Sequence, residues 1–167
     1  MTHQWRNPIN RRYNNRRIMT KREGINENRQ TDHDIHVSIN RDDITEMIMP
    51  SGKVTFIPFE GHVESELFTG TIRPGAADVQ VTNAAGIRHM QAKYIFDGTD
   101  MQGRHCHLYV ENNGYFEPDS EPSPFHACPA MMSDSAELNR IISGAHFRAE
   151  GHGTPEGVDI LIFDTEG

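Results

Sequence analysis

From residue 33 onward the chain is divided into short strand-like segments by turn residues at hairpin spacing. No other feature restricts the possible folds as much. "HDIHVSIN" puts Ile35, Val37 and Ile39 on one face of an extended segment. "KVTFIPFEGHV" is rich in β-branched and aromatic residues. "LFTGTIRPGAADVQVTNAAGIRHMQAKYIFDG" reads as three strands, broken at Pro74-Gly75 and at Ala85-Gly86. "RHCHLYVENNG" reads as another, closed by Asn113-Gly114, and "FHACPAMM" and "FRAEGHGTPEGVDILIFD" supply the last. One segment departs from this pattern. "SDSAELNRIISGAHF" offers Ser133 or Ser135 as a helix cap and spaces Leu138, Ile141 and Ile142 for one helical turn, near 134–143.

Eight or more strands with almost no helix must protect their edges. Closing the sheet does this, and an eight-stranded barrel can enclose one small ligand. A two-sheet sandwich is the competing solution. Gly70, Gly75, Gly86, Gly98 and Gly103 suit the tight corners of a small barrel. The expectation is therefore all-β: an antiparallel barrel of about eight to ten strands with one short helix, occupying residues 32–167.

Residues 1–31 differ in character. They hold eight of the 16 Lys and Arg and only Glu23 and Glu27, while the rest of the chain carries 22 acids against eight bases. The stretch has neither a helical nor a strand period, so it reads as a flexible basic N-terminal extension. Use as a nucleic-acid arm is opposed by the strongly acidic domain behind it, which repels phosphate. The arm can instead fold back on that domain or on a neighbouring subunit, so a homo-oligomer is possible; alternatively Met19 is the natural start. No apolar run approaches the ~18 residues of a membrane span. Two cysteines make no disulfide framework and no apolar leader segment is visible, so the expected location is cytoplasmic.

Strand alternation sorts the chemically capable side chains. On 103–111, His105, His107, Tyr109 and Glu111 share one face, and Cys106, Leu108 and Val110 the other. On 87–97, His89, Gln91, Lys93, Ile95 and Asp97 oppose Met90, Ala92, Tyr94 and Phe96. Either the apolar side fills the barrel, the commoner arrangement, or the polar side lines a ligand cavity. Three histidines gathered with Lys93 and Tyr109 lead to the expectation that the composite polar face lines a cavity, with His107 as the functional imidazole. His105, His107 and Glu111 also match the first half of a cupin metal motif, His-x-His-x3-Glu, which makes a metalloprotein the alternative. Asp78, following the Pro74-Gly75 turn and on the same face as Gln80, is either a turn carboxylate or a general base at a barrel mouth. Tyr94 is either a core tyrosine or a donor to a substrate carbonyl. Met131 and Met132 are either core filler or adaptable walls for an apolar ligand.

The glycine-punctuated segments from "GHVESELFTG" to "GTPEGVDILIFD" resemble the bacterial family known as domain of unknown function 3237. The resemblance rests on Arg73-Pro74-Gly75-Ala76-Ala77-Asp78, Gln91-Ala92-Lys93-Tyr94, Val110-Glu111-Asn112-Asn113-Gly114, Leu138-Asn139 and Gly157-Val158. It implies a lipocalin-like antiparallel barrel. Asp78 and Tyr94 stand where the family has them, whereas Gln91 and Lys93 replace its aspartate and arginine. Together these readings give a barrel that binds a small, largely apolar organic molecule. The catalytic form of this expectation is an isomerase, cyclase or lyase without cofactor, with acid/base groups drawn from Asp78, Lys93, Tyr94, His107 and Tyr109. His89, Gln91, His105, Glu111, Met131 and Met132 are the expected ligand contacts. The alternatives are a non-catalytic binding barrel and the cupin-like metalloprotein. The absence of a phosphate loop, a Cys-x-x-Cys pair and a serine elbow argues against nucleotide, redox-disulfide and hydrolase chemistry.

Overall fold

The computed structural model describes residues 16–17, 35–122, 124–143 and 146–164. Twelve strands and one α-helix follow in order: β1 (Arg16–Arg17), β2 (Ile35–Ser38), β3 (Thr45–Met49), β4 (Gly52–Pro58), β5 (Glu60–Glu64), β6 (Phe68–Ile72), β7 (Ala77–Asn83), β8 (Arg88–Asp100), β9 (His105–Phe116), β10 (Phe125–Ser133), α1 (Ala136–Ile142), β11 (Phe147–Gly153) and β12 (Gly157–Asp164). Of the basic extension only Arg16–Arg17 is described, and it pairs with the end of β12. The remainder of residues 1–31 lies outside the described residues. No described helix is long and apolar enough to cross a membrane.

Every described pairing is antiparallel, and the sheet closes. The circuit runs β8-β6-β5-β2-β12-β11-β10-β9 and returns to β8 through the β8–β9 pairing, an eight-stranded barrel. Closure excludes the sandwich. The eight-stranded circuit itself has no open edge, whereas β3, outside it, pairs among the described residues with β4 alone.

Two breaks in the sequence pattern have meanings other than hairpin turns. β6 pairs with the C-terminal half of β8 and β7 with its N-terminal half, on the same edge. Pro74-Gly75 therefore offsets a strand that continues in the same direction, with Gly75 at φ 104°. The Asn113-Gly114 pair does not turn the chain at all. β9 runs through it to Phe116, paired with β8 on one side and, up to Asn113, with β10 on the other. Gly114 faces inward, where an added Cβ would sit tightly, 3.1 Å from the Met90 side chain and the His126 carbonyl oxygen. β4 and β7 extend beyond the barrel as a flared ribbon, with β3 paired on its outer edge.

The core follows from the apolar faces of the strands. Phe68, Phe96, Leu108, Val110, Ile35, Val63 and Ile162 are almost completely buried. Removing these side chains from water contributes about 1.5–3 kcal/mol each. Gly70 and Gly98 face one another across β6 and β8, and a Cβ on Gly98 would lie 2.1 Å from the Thr69 carbonyl oxygen. α1 starts where the sequence predicts a helix. Ser135 caps it by accepting from the Leu138 N–H, and Leu138 and Ile142, one turn apart, insert into the core. The Ser135 hydroxyl also donates to buried Asp100 at 2.7 Å, which ties the helix to the end of β8.

Candidate functional site

The barrel encloses a cavity of about 110 Å³ near the end where β7 and β4 flare outward. Its walls are mainly apolar: Val37, Ile39, Ile57, Phe59, Met90 and Ile160 are among the lining residues. Four polar side chains from neighbouring strands also line it: Asp78 and Gln80 on β7, Tyr94 on β8 and Asn112 on β9. In the register, Asp78 is level with Ala92, and Ala92 is level with Asn112. A single row thus reads carboxylate, methyl, amide across the sheet. Adjacent strands are about 4.8 Å apart, so the two polar residues stand about 10 Å apart at the backbone. The small side chain between them leaves the gap.

Asp78 Oδ1, the Tyr94 hydroxyl and Asn112 Oδ1 are all buried without a hydrogen-bond partner. A buried polar atom left in this state costs on the order of 1–3 kcal/mol. Burial pushes the Asp78 carboxyl above the ordinary aspartate range, partly opposed by the Gln80 amide, which donates to Oδ2 at 2.7 Å, and by the nearby Gln91 backbone N–H. Burial also pushes the Tyr94 phenol up, so it stays protonated and able to donate. The Tyr94 ring is held edge-on against Phe59 and Phe96, at 5.3 and 5.4 Å between centroids. Phe59 and Ile39 also border a broader outer depression formed with Pro58, Pro74 and Glu156, so they stand between the cavity and solvent.

The expectation that the composite histidine face lines the cavity is corrected. The opposite face of β8 and β9 points inward: Phe96 and Val110 are 0% exposed and Leu108 is 2% exposed. Turning the strands over would bury imidazoles, Lys93 and Glu111 at a large desolvation cost while exposing the core. Lys93, His107 and Tyr109 therefore lie outside the barrel. Lys93 approaches Glu111 at 3.5 Å, and the Tyr109 hydroxyl donates to Glu111 at 2.9 Å. His89 stacks on Tyr115 at 4.2 Å, and Gln91 donates to Asn113 at 3.4 Å. Met132 is 64% exposed, whereas Met131 is buried core and does not line the cavity.

The ligand set His105, His107 and Glu111 is not assembled. Glu111 is about 13 Å along the strand from His107 and is engaged by Tyr109, Asn113 and Lys93. Sequential β8-β9-β10-β11-β12 pairing is also a meander, unlike the double Greek key of a jelly roll. Asp78 and Tyr94 do face the cavity. Asn112 was not singled out from the sequence. Its signal was there: it is the one amide on the face that carries Cys106, Leu108 and Val110.

The fold and cavity define a closed antiparallel β-barrel protein with polar groups set into an apolar interior. The chain belongs to the family described as Protein of unknown function (DUF3237), whose model matches residues 30–136. Solved structures share the fold. A protein of unknown function from Clostridium acetobutylicum is 20% identical, with a TM-score of 0.63, covering 78% of this chain and 93% of its own. A conserved protein of unknown function from Rhodopseudomonas palustris is 22% identical, with a TM-score of 0.61, covering 78% and 92%. A β-barrel-like protein from Acinetobacter baumannii is 15% identical, with a TM-score of 0.58, covering 78% and 95%. No curated protein matches the chain.

Proposed function

We propose that the barrel binds one small organic molecule with an apolar body and a carbonyl or hydroxyl head, in the manner of a lipocalin-like barrel. The observation that carries this reading is the set of three unpartnered buried polar atoms in one apolar-walled cavity. A ligand carbonyl accepts from the Tyr94 O–H, and a ligand hydroxyl can also donate to Asp78 Oδ1 or Asn112 Oδ1, so either recovers part of the desolvation cost. At about 110 Å³ the cavity is smaller than the roughly 150 Å³ that holds a benzene ring, so it suits a head of about four or five non-hydrogen atoms.

The same groups support proton transfer beside a carbonyl, the chemistry of a cofactor-independent isomerase or lyase. Asp78 takes a C–H proton, the electron pair moves onto the carbonyl oxygen, and the Tyr94 O–H donates to that oxygen. Return of the proton to another carbon gives an isomer. A carboxyl raised by burial is a better base for this step than an exposed aspartate. Lys93, His107 and Tyr109 have no part in it, because they face away from the cavity.

The test uses 2-butanone as a five-atom carbonyl probe. Expected results are a thermal shift and deuterium exchange of its acidic C–H in D2O, both lost in Tyr94→Phe, with the exchange alone lost in Asp78→Asn. Binding without exchange supports the non-catalytic barrel. Absence of a shift with this probe and with a panel of small ketones and alcohols overturns the reading.

A further inference from the structure

The histidine pair that faces away from the cavity meets a carboxylate on the neighbouring strand. We propose that Asp97, His105 and His107 bind a divalent transition ion, with zinc the best match, on the outer face of β8–β9. Alternation puts both imidazoles on one side of β9, and the register sets Asp97 directly opposite His107. One ligand atom from each residue lies within 4.8 Å of the other two. His105 Nε2 is 2.8 Å from Asp97 Oδ1, and His107 Nε2 is 3.7 Å from Asp97 Oδ2. Ligands around a tetrahedral zinc with bonds of about 2 Å are about 3.3 Å apart, so small side-chain rotations complete the site.

A second observation distinguishes this cluster from an ordinary surface ion-pair network. Asp134, just before α1, accepts from the His107 backbone N–H at 2.6 Å and lies 2.8 Å from His107 Nδ1. A proton held on Nδ1 leaves Nε2 with its lone pair, and Nε2 is the atom on the Asp97 side. A carboxylate on the distal nitrogen is the usual support of a metal-bound histidine. The donors are two nitrogens and one oxygen. This set suits zinc, cobalt or iron, and not calcium or magnesium, which take oxygen. Three protein ligands leave a position open to water. Arg73 competes, donating to Asp97 Oδ2 at 2.8 Å, but its side chain is more than half exposed and free to leave.

The test is titration of the metal-stripped full chain with Zn2+ and Co2+ by calorimetry and visible absorption. The expected result is one ion per chain at about 10 μM or tighter, tetrahedral Co2+ bands, and no binding of Ca2+ or Mg2+. His105→Ala, His107→Ala and Asp97→Ala each weaken binding at least tenfold, and Asp134→Asn weakens it roughly 10–100-fold. Arg73→Gln leaves it equal or tighter, and Glu111→Gln leaves it unchanged. Circular dichroism confirms that each variant is folded, which surface positions permit. No binding by the parent, or binding that survives His107→Ala or Asp97→Ala, overturns the site. Loss on Glu111→Gln also overturns it, because the ligands would then be the His-x-His-x3-Glu set.

Discussion

Asp78 and Asn112 stand level on either side of Ala92, on three adjacent strands, and all three side chains line the barrel cavity. The methyl group between a carboxylate and an amide is what keeps the row open. Any larger side chain at this position fills the cavity from its wall.

Ala92→Leu should therefore abolish the binding of small carbonyl probes while leaving the fold intact. Overpacking a filled core costs about 1–3 kcal/mol; here the new side chain enters free space, so the loss should be below about 1 kcal/mol. Urea unfolding and thermal shift with 2-butanone check both halves. A large loss of stability would mean the cavity is not available to the side chain.

Tyr94→Phe removes a buried hydroxyl that has no partner in the protein. Stability should stay level or rise by about 1 kcal/mol, since the desolvation cost of the hydroxyl is removed. Ligand affinity should fall about tenfold or more, the equivalent of one lost hydrogen bond. A marked fall in stability would show that the hydroxyl is satisfied within the folded protein.

Asp78→Asn should stabilise the protein at neutral pH by about 1 kcal/mol, a typical scale for single substitutions. The folded carboxyl titrates above the ordinary aspartate value of 3.8. Ionisation of Asp78 therefore costs stability as pH rises through the folded value, and the cost is absent below the unfolded one. The advantage of the variant should disappear as pH falls to 3.8 and below. Urea midpoints of both proteins at pH 7 and pH 3.5 decide this, and an advantage that persists in acid would contradict it.

Asp100→Asn acts in the opposite sense. The Ser135 hydroxyl, Arg104 and the backbone N–H groups of Gln102 and Arg104 hold the Asp100 carboxyl well below its ordinary range. Its contribution is present above the unfolded value and is lost only as pH falls through the depressed one. The variant should melt several degrees lower at pH 7 and nearly as much lower at pH 4.5. The difference should narrow only in stronger acid. Equal melting temperatures at pH 7 would show that the link between β8 and α1 is immaterial.

Local chemistry alone made much of this protein legible. Period-two alternation in "HDIHVSIN" and "QAKYIFDG", and the serine before "AELNRII", specify strand or helix through neighbours a few residues away, and those elements form where the sequence places them. Asp78 was readable as a candidate from its place after the Pro74-Gly75 turn and Tyr94 from its place on an apolar strand face, and both stand where the family resemblance has them. The side of a strand that faces inward was not readable, since β8 and β9 each carry one polar and one apolar face. Only closure, with Phe96, Leu108 and Val110 sharing one core, made the difference in burial energy large enough to choose. Closure also made Asn113-Gly114 part of a strand, since β8 and β10 supply partners that a two-stranded hairpin lacks. The same non-local register set Ala92 between Asp78 and Asn112, and Asp97 opposite His107. Each depends on the register between consecutive strands, set by the turns that join them, and alternation within one strand does not encode it.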